Sequence, residues 1–101
     1  RAIAFAALIV AVTVRGDIIT WSGDTCDGAE SPNFPCDSEC VSFEGRHSFR
    51  VVTRAQHCVI MYSRKSCTGY RFAYRPTDPH CVNVDTGTAI ESFRCRPDIF
   101  C

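Results

Sequence analysis

The eight cysteines of this 101-residue chain are its most chemically reactive side chains. A thiolate can attack a substrate or bind zinc, and two thiols can close a disulfide. Eight cysteines in so short a chain are typical of a small domain from an oxidising compartment, where disulfides supplement a limited core. We therefore expect structural disulfides. The competing interpretation is a zinc site that combines Cys36 and Cys40 with His57 or His80.

Sequence patterns of catalysis are missing. The three histidines stand beside no nucleophile motif, and the sequence contains no nucleophile elbow, zinc-protease motif or phosphate-binding loop. We therefore predict that the protein is not an enzyme and needs no cofactor. The formal net charge is zero, so the composition does not demand a nucleic-acid partner and we expect none.

The charges are unevenly distributed along the chain. Residues 17–44 contain seven acids and no Lys or Arg, whereas residues 46–75 contain seven bases and no acid. The candidate binding surface lies in the basic part and consists of Arg64, Lys65, Arg71 and Arg75. We expect this surface to contact an anionic or polysaccharide target on a cell, such as a microbial cell wall or membrane surface. The alternative is an ordinary solvated exterior.

One residue pattern occurs twice in the chain, 41 residues apart: aromatic, four residues, Cys, one residue, Gly. The same offset relates Cys40 to Cys81. These landmarks predict an internal duplication, with repeat 1 at about 17–54, repeat 2 at about 58–95 and a tail at 96–101. Besides the cysteines, the structural motif comprises Trp21, Gly28 and Ser48 in the first repeat and Tyr62, Gly69 and Ser92 in the second.

Each copy of the pattern predicts a β-hairpin that folds back on itself. The Gly suits a turn with positive φ, and the aromatic residue can lie across the hairpin and seal one end of the core. The Ser of a later strand can bond loop backbone that would otherwise be unpaired. Two unrelated hairpins with turn glycines are the alternative.

Short strand patterns and the lack of helical periodicity after residue 16 predict an all-β domain. Ala29–Cys36 contains two prolines and is predicted as loop. Strict alternation in 70–75 places Tyr70, Phe72 and Tyr74 on one face, which we predict to be core. The predicted strands are 18–21, 40–43, 48–52, 58–62, 70–75, 81–84 and 89–95.

Residues 1–16 are typical of the end of a secretory signal peptide, with an Arg, an apolar run and a small residue at a cleavage site. The apolar run is shorter than the about 20 residues that span a bilayer, so we expect no stable membrane insertion. We expect the signal peptide to be truncated at its start and the mature, secreted protein to begin at Asp17. The alternative is a buried first element of the domain.

The duplication also restricts the 105 full pairings that eight cysteines allow. If the repeats pack about a pseudo-twofold axis, a Cys26–Cys81 bond has a Cys40–Cys67 bond as its symmetry mate. Three pairings remain open for the other four cysteines. Because two of these four lie outside the repeated landmarks, we expect Cys58–Cys101 and hence Cys36–Cys95.

The duplicated hairpin pattern with its later Ser resembles the βγ-crystallin unit, in which a second aromatic stands at the Cys26 and Cys67 positions. The cysteine skeleton looks closer still to that of the macadamia-type plant antimicrobial proteins, and the likeness spans about Ile18 to Cys95. This resemblance implies a disulfide-stapled β-sandwich of two Greek-key motifs, with three disulfides that agree with the pairs given above. It also implies growth inhibition of fungi.

This sequence departs from the plant proteins in three respects. Cys58 and Cys101 are additional, three residues separate Cys36 from Cys40 where the plant proteins have one, and the net charge is lower. The lower charge argues against membrane attack by charge alone. Many microbial βγ-crystallins bind calcium through an Asn/Asp pair before the Ser, but residues 43–44 and 87–88 do not form such a pair, so we predict no metal site.

Two function classes follow from the sequence and its resemblance. The first is a secreted, monomeric antifungal defence protein of the apoplast or cell wall that acts without catalysis on microbial envelopes. The second is a secreted fungal effector or killer-toxin-like protein of the same fold that binds a host protein or a cell-wall target. A third function class, an enzyme inhibitor, is compatible with any rigid scaffold that is held together by disulfides.

Overall fold

The computed structural model describes residues 17–52, 57–75 and 80–97, and this part of the protein is all-β, as predicted. The predicted signal peptide, residues 53–56 and 76–79 and most of the tail lie outside the described residues. The strands are β1 (Ile18–Trp21), β2 (Cys40–Ser42), β3 (Ser48–Val51), β4 (Cys58–Arg64), β5 (Thr68–Tyr74), β6 (Val82–Asn83) and β7 (Ser92–Arg96).

The strands form two antiparallel sheets that exchange their outer strands between the halves of the chain. One sheet has the order β1-β3-β6 and the other β2-β7-β4-β5. Strand β6, from the second half, pairs with β3 of the first, and β2, from the first half, pairs with β7 of the second. Each half of the chain therefore completes the sheet of the other half.

A single apolar core lies between the two sheets. Side chains of both sheets contribute to one buried cluster, in which Phe43, Phe49 and Phe93 are fully buried. The rings of Phe43 and Phe93 meet edge to face with centroids 5.9 Å apart, and Phe49 meets Tyr74 in the same way at 5.7 Å. Such aromatic pairs stabilise the core beyond the area that they bury.

The segment predicted as loop at residues 29–36 runs beside β1 as an irregular edge. Phe34 exchanges backbone hydrogen bonds with Ile18, and the Ser31 hydroxyl accepts the Thr20 amide at 2.9 Å. A continuous strand cannot form here because Pro32 and Pro35 lack the amide hydrogens that a ladder requires. The loop prediction therefore missed two isolated β-bridges, although it placed the break in regular structure correctly.

The prediction that Tyr70 belongs to the core is wrong. Phe72 and Tyr74 pack against the core as predicted, but Tyr70 is 77% exposed. Phe72 stands opposite Met61 in the regular part of the pairing of β4 with β5, whereas Tyr70 lies near the turn, at an irregularity in this pairing. The alternation correctly predicts the face of the strand, but the core does not extend to the end of the hairpin.

Tyr74 should make the stability of the protein sensitive to alkali. Burial and, to a lesser extent, the negative charge of Asp85 raise the pKa of Tyr74 above its ordinary value of 10.0. The folded protein then holds this proton to a higher pH than the unfolded chain. The free energy of unfolding is therefore unaffected below pH 10 and falls as the pH rises through the raised pKa.

We expect Tyr74→Phe to lessen this decline in urea unfolding between about pH 9 and about pH 11. Tyr70→Phe, at an exposed position, is the control and should leave the decline unchanged. An identical decline in Tyr74→Phe and the unmodified protein would contradict the assignment.

Candidate binding surface on the second hairpin

A buried serine ties each folded hairpin to the sheet beneath it. The Ser48 hydroxyl accepts the amide of Cys26 at 2.9 Å and donates to the carbonyl of Gly23 at 2.6 Å. In the second half, the Ser92 hydroxyl accepts the amide of Cys67 at 2.8 Å and donates to the carbonyl of Arg64 at 2.5 Å. The two serines therefore perform the same task at equivalent positions, as the duplication predicted.

A second pair of serines and the two hairpin glycines close each hairpin in the same way. The Ser22 hydroxyl accepts the amide of Ala29 at 2.8 Å, and the Ser63 hydroxyl accepts that of Tyr70 at 2.9 Å. Gly28 and Gly69 have φ values of 85° and 86°. A Cβ on either glycine would come within 2.4 Å of the adjacent serine hydroxyl. Positive φ and close approach therefore both require Gly here.

The aromatic residues that begin the two hairpins are covered to different extents. Trp21 is buried, and the guanidinium of Arg50 lies over its ring at 5.8 Å from the centroid. Tyr62, at the equivalent position, is half-buried. Both residues stand directly opposite the hairpin serine of a neighbouring strand, Trp21 opposite Ser48 and Tyr62 opposite Ser92.

Among the described residues, three disulfides connect the two halves, and they match pairs predicted from the sequence. Two of them have equal Cα separations of 5.9 Å and join a hairpin of one half to the exchanged strand of the other: Cys26–Cys81 and Cys40–Cys67. The third is buried and joins Cys36 to Cys95. Cys58 is also disulfide-bonded, and its predicted partner Cys101 lies outside the described residues.

The disulfides contradict the zinc interpretation. Cys36 and Cys40 are each oxidised in a different disulfide, so neither can supply a thiolate to a metal. Within residues 17–52, 57–75 and 80–97, no group of three or more His, Cys, Asp or Glu side chains could hold a metal ion.

The four cations of the predicted surface lie on one hairpin but do not form a single cluster. All four are exposed: Arg64 ends β4, Lys65 lies in the turn, Arg71 lies within β5 and Arg75 follows it. At about 3.3 Å per residue, the length of β5 places Arg75 about 20 Å from the turn. The turn and the far end of β5 are therefore separate contact points.

An ion pair that the sequence analysis did not predict alters the charge at the turn. The Lys65 ammonium lies 3.3 Å from a carboxylate oxygen of Glu44, which follows β2 from the first half of the chain. Both side chains remain substantially exposed, so the pair contributes at most about 1 kcal/mol to stability. It nevertheless leaves Arg64 as the unneutralised cation nearest the turn.

A shallow cleft that the sequence patterns did not predict lies beside the turn. Ser63, Arg64, Thr68, Gly69 and Tyr70 line this cleft, which has a volume of about 460 Å³. Its signal in the sequence was the position of Tyr70, one residue after the turn glycine, where a side chain projects beyond the core.

No protein-family model and no curated protein matches this chain. Among the described residues there is no helix long and apolar enough to cross a membrane.

Removal of the second serine should destabilise the protein. Ser92→Ala leaves the Cys67 amide and the Arg64 carbonyl without their partner, so we expect the free energy of unfolding to fall by about 1–3 kcal/mol. Urea unfolding measures this loss. Ser42→Ala is the control because that exposed hydroxyl accepts only one long bond, at 3.3 Å from the Glu44 amide. Equal effects of the two variants would refute the role of Ser92.

Close approach at the hairpin glycine predicts a difference between two glycine substitutions. Gly69 and Gly87 have similar φ values of 86° and 83°, so alanine at either position incurs a similar backbone strain of about 1–2 kcal/mol. Only at Gly69 would the new Cβ meet other atoms, since nothing lies within 4 Å of that position at Gly87. We expect Gly69→Ala to lose at least about 1 kcal/mol more in urea unfolding. Equal losses would show that the serine can move aside.

Proposed function

We propose that the protein is a secreted, non-catalytic antifungal defence protein with a βγ-crystallin-like fold of two Greek-key motifs. The observation that carries this proposal is the repeated serine-locked hairpin together with the reciprocal exchange of β2 and β6. Disulfides at the start of each exchanged strand link the two halves at the cysteine positions that carry the resemblance to plant antimicrobial proteins. This support concerns the scaffold, and the activity follows from the resemblance.

The disulfides support the proposed location. Three disulfides in a small compact domain indicate an oxidising environment such as the extracellular space. Export through the signal peptide at residues 1–16 remains part of the proposal.

The charge of the second hairpin supports contact with an anionic microbial envelope. The described residues 57–75 carry four cations and no acid. In the first hairpin, Asp24 and Asp27 occupy the positions equivalent to Lys65 and Thr68. Matching hydrogen bonds nevertheless hold the backbone of both hairpins. The fold therefore does not require a basic hairpin. A concentrated charge of one sign raises the local concentration of an oppositely charged target.

The Lys65–Glu44 ion pair favours one alternative function, a fungal effector that binds a host protein. The two side chains line a second shallow groove of about 440 Å³ with residues from both halves of the chain. Paired charges of opposite sign confer specificity for one partner more than general attraction to an anionic surface. This alternative predicts a specific host partner and no inhibition of fungal growth.

The test uses oxidised protein beginning at Asp17, added to germinating spores of a filamentous fungus at low and moderate salt. We expect inhibition at micromolar dose that weakens with salt, because exposed charges are screened beyond about 10 Å at about 0.1 M salt. Arg64→Glu/Lys65→Glu should raise the inhibitory dose at least about tenfold.

The matched control for the double variant is Glu44→Gln. It also breaks the ion pair but leaves both cations in place, so its inhibition should equal or exceed that of the unmodified protein. Normal growth at both salt concentrations would contradict the antifungal proposal.

A further inference from the structure

Tyr70 is the large hydrophobic side chain that the described part of the protein leaves exposed, at 77%. It lines the shallow cleft together with Arg64, and Ser63, Thr68 and Gly69 form the remainder of the lining. An aromatic face and a guanidinium thus share one open depression on a surface whose hairpin carries no acid.

Hydrogen bonds and packing fix the backbone from which both side chains project. The Ser63 hydroxyl accepts the amide of Tyr70 at 2.9 Å, and the carbonyl of Arg64 accepts the Ser92 hydroxyl. The stem of Arg64 lies against the backbone of Gly69, where an added Cβ would come within 2.9 Å of the Arg64 Cγ. The two side chains therefore project from a fixed backbone into one cleft, which lowers the entropic cost of binding relative to a mobile hairpin.

The first hairpin provides an internal comparison. Its backbone has the corresponding serine bonds, but the positions of Arg64 and Tyr70 are occupied by Gly23 and Ala29. The same local fold therefore forms without a cation or a ring at these positions. The serine bonds that close the hairpin therefore do not require Arg64 or Tyr70.

We propose that this cleft binds an acidic polysaccharide, with a sugar ring stacked on Tyr70 and its carboxylate or phosphate held by Arg64. A tyrosine ring offers an apolar face to the C–H face of a sugar and a hydroxyl at its rim, and a guanidinium binds a carboxylate or phosphate through two parallel hydrogen bonds.

Two features favour a polymer over a small molecule or a bilayer. The cleft is shallow and open to solvent, so a long chain can cross it without being enclosed. A lone exposed ring offers little apolar area for insertion into lipid. The inference rests on the proposed function because it names the component of the envelope that the hairpin contacts.

The test measures binding of the oxidised protein from Asp17 to polygalacturonate and to the same polymer with its carboxylates methyl-esterified. We expect binding to the acidic polymer and at least about tenfold weaker binding to the ester. Tyr70→Ala and Arg64→Ala should each weaken binding about tenfold, the size of one aromatic contact or one charge-assisted hydrogen bond.

Control variants separate this binding from charge and from folding. Arg50→Gln removes one charge from the other sheet and should leave binding within about twofold. Tyr70→Phe keeps the ring and should lose less than about threefold. Near-ultraviolet circular dichroism verifies that each variant is folded. We expect Tyr70→Ala to fold because the equivalent position of the first hairpin is Ala29.

Equal binding to the two polymers, or unchanged binding in Tyr70→Ala, would overturn the assignment. Preferential binding to anionic phospholipid vesicles that is lost in the same variants would also overturn it, in favour of a lipid surface. Fungal inhibition that persists without polysaccharide binding overturns this assignment but leaves the proposed function standing. Selective polysaccharide binding without fungal inhibition at any dose would overturn the proposed function and leave this assignment standing.

Discussion

The fold depends on the buried hydroxyl that each half of the chain places beneath its hairpin. A hydroxyl can accept one hydrogen bond and donate another, and Ser48 and Ser92 use both to bind hairpin backbone. A hairpin that folds back on itself leaves these backbone groups without a strand partner, and they would be costly to bury unpaired. The bonds hold Cys26 and Cys67 in place with φ values of 59° and 55°. From there each sulfur reaches a cysteine of the other half.

The cross-links compensate for short strands. The exchanged strands β2 and β6 contain only three and two residues, which is too few to hold a sheet edge by backbone pairing alone. The cysteines of each disulfide are 27 to 59 positions apart in the chain. In the chain-entropy model, a disulfide that closes a loop of this length stabilises a domain by about 3–4 kcal/mol, and overlapping loops give less than the sum. A small core and three staples thus hold together a sandwich that neither half could form alone.

Much of this architecture could be predicted because the information is local or repeated. β1 coincides with its prediction, and the others lie within a few residues of theirs, since cysteines, serines and glycines mark their ends. Tyr70 could not be placed because alternation reveals the face of a strand and not the extent of the core. The Lys65–Glu44 pair joins segments from different halves, so only the strand exchange brings it together. The cleft is indicated in the sequence only by the position of Tyr70 next to the turn glycine.

The central claim is that residues common to both hairpins determine the scaffold and residues that differ determine binding. A transfer of side chains tests it most directly. Asp24→Lys, Asp27→Thr and Ala29→Tyr would give the first hairpin a cation and a ring like those of the second, and Gly23 is kept because a Cβ there would come within 2.7 Å of the Asp27 backbone carbonyl oxygen. In a background with Tyr70→Ala and Arg64→Ala, the account predicts a folded protein that regains binding to polygalacturonate. A folded protein that does not bind would contradict the account, as would a chain that no longer folds.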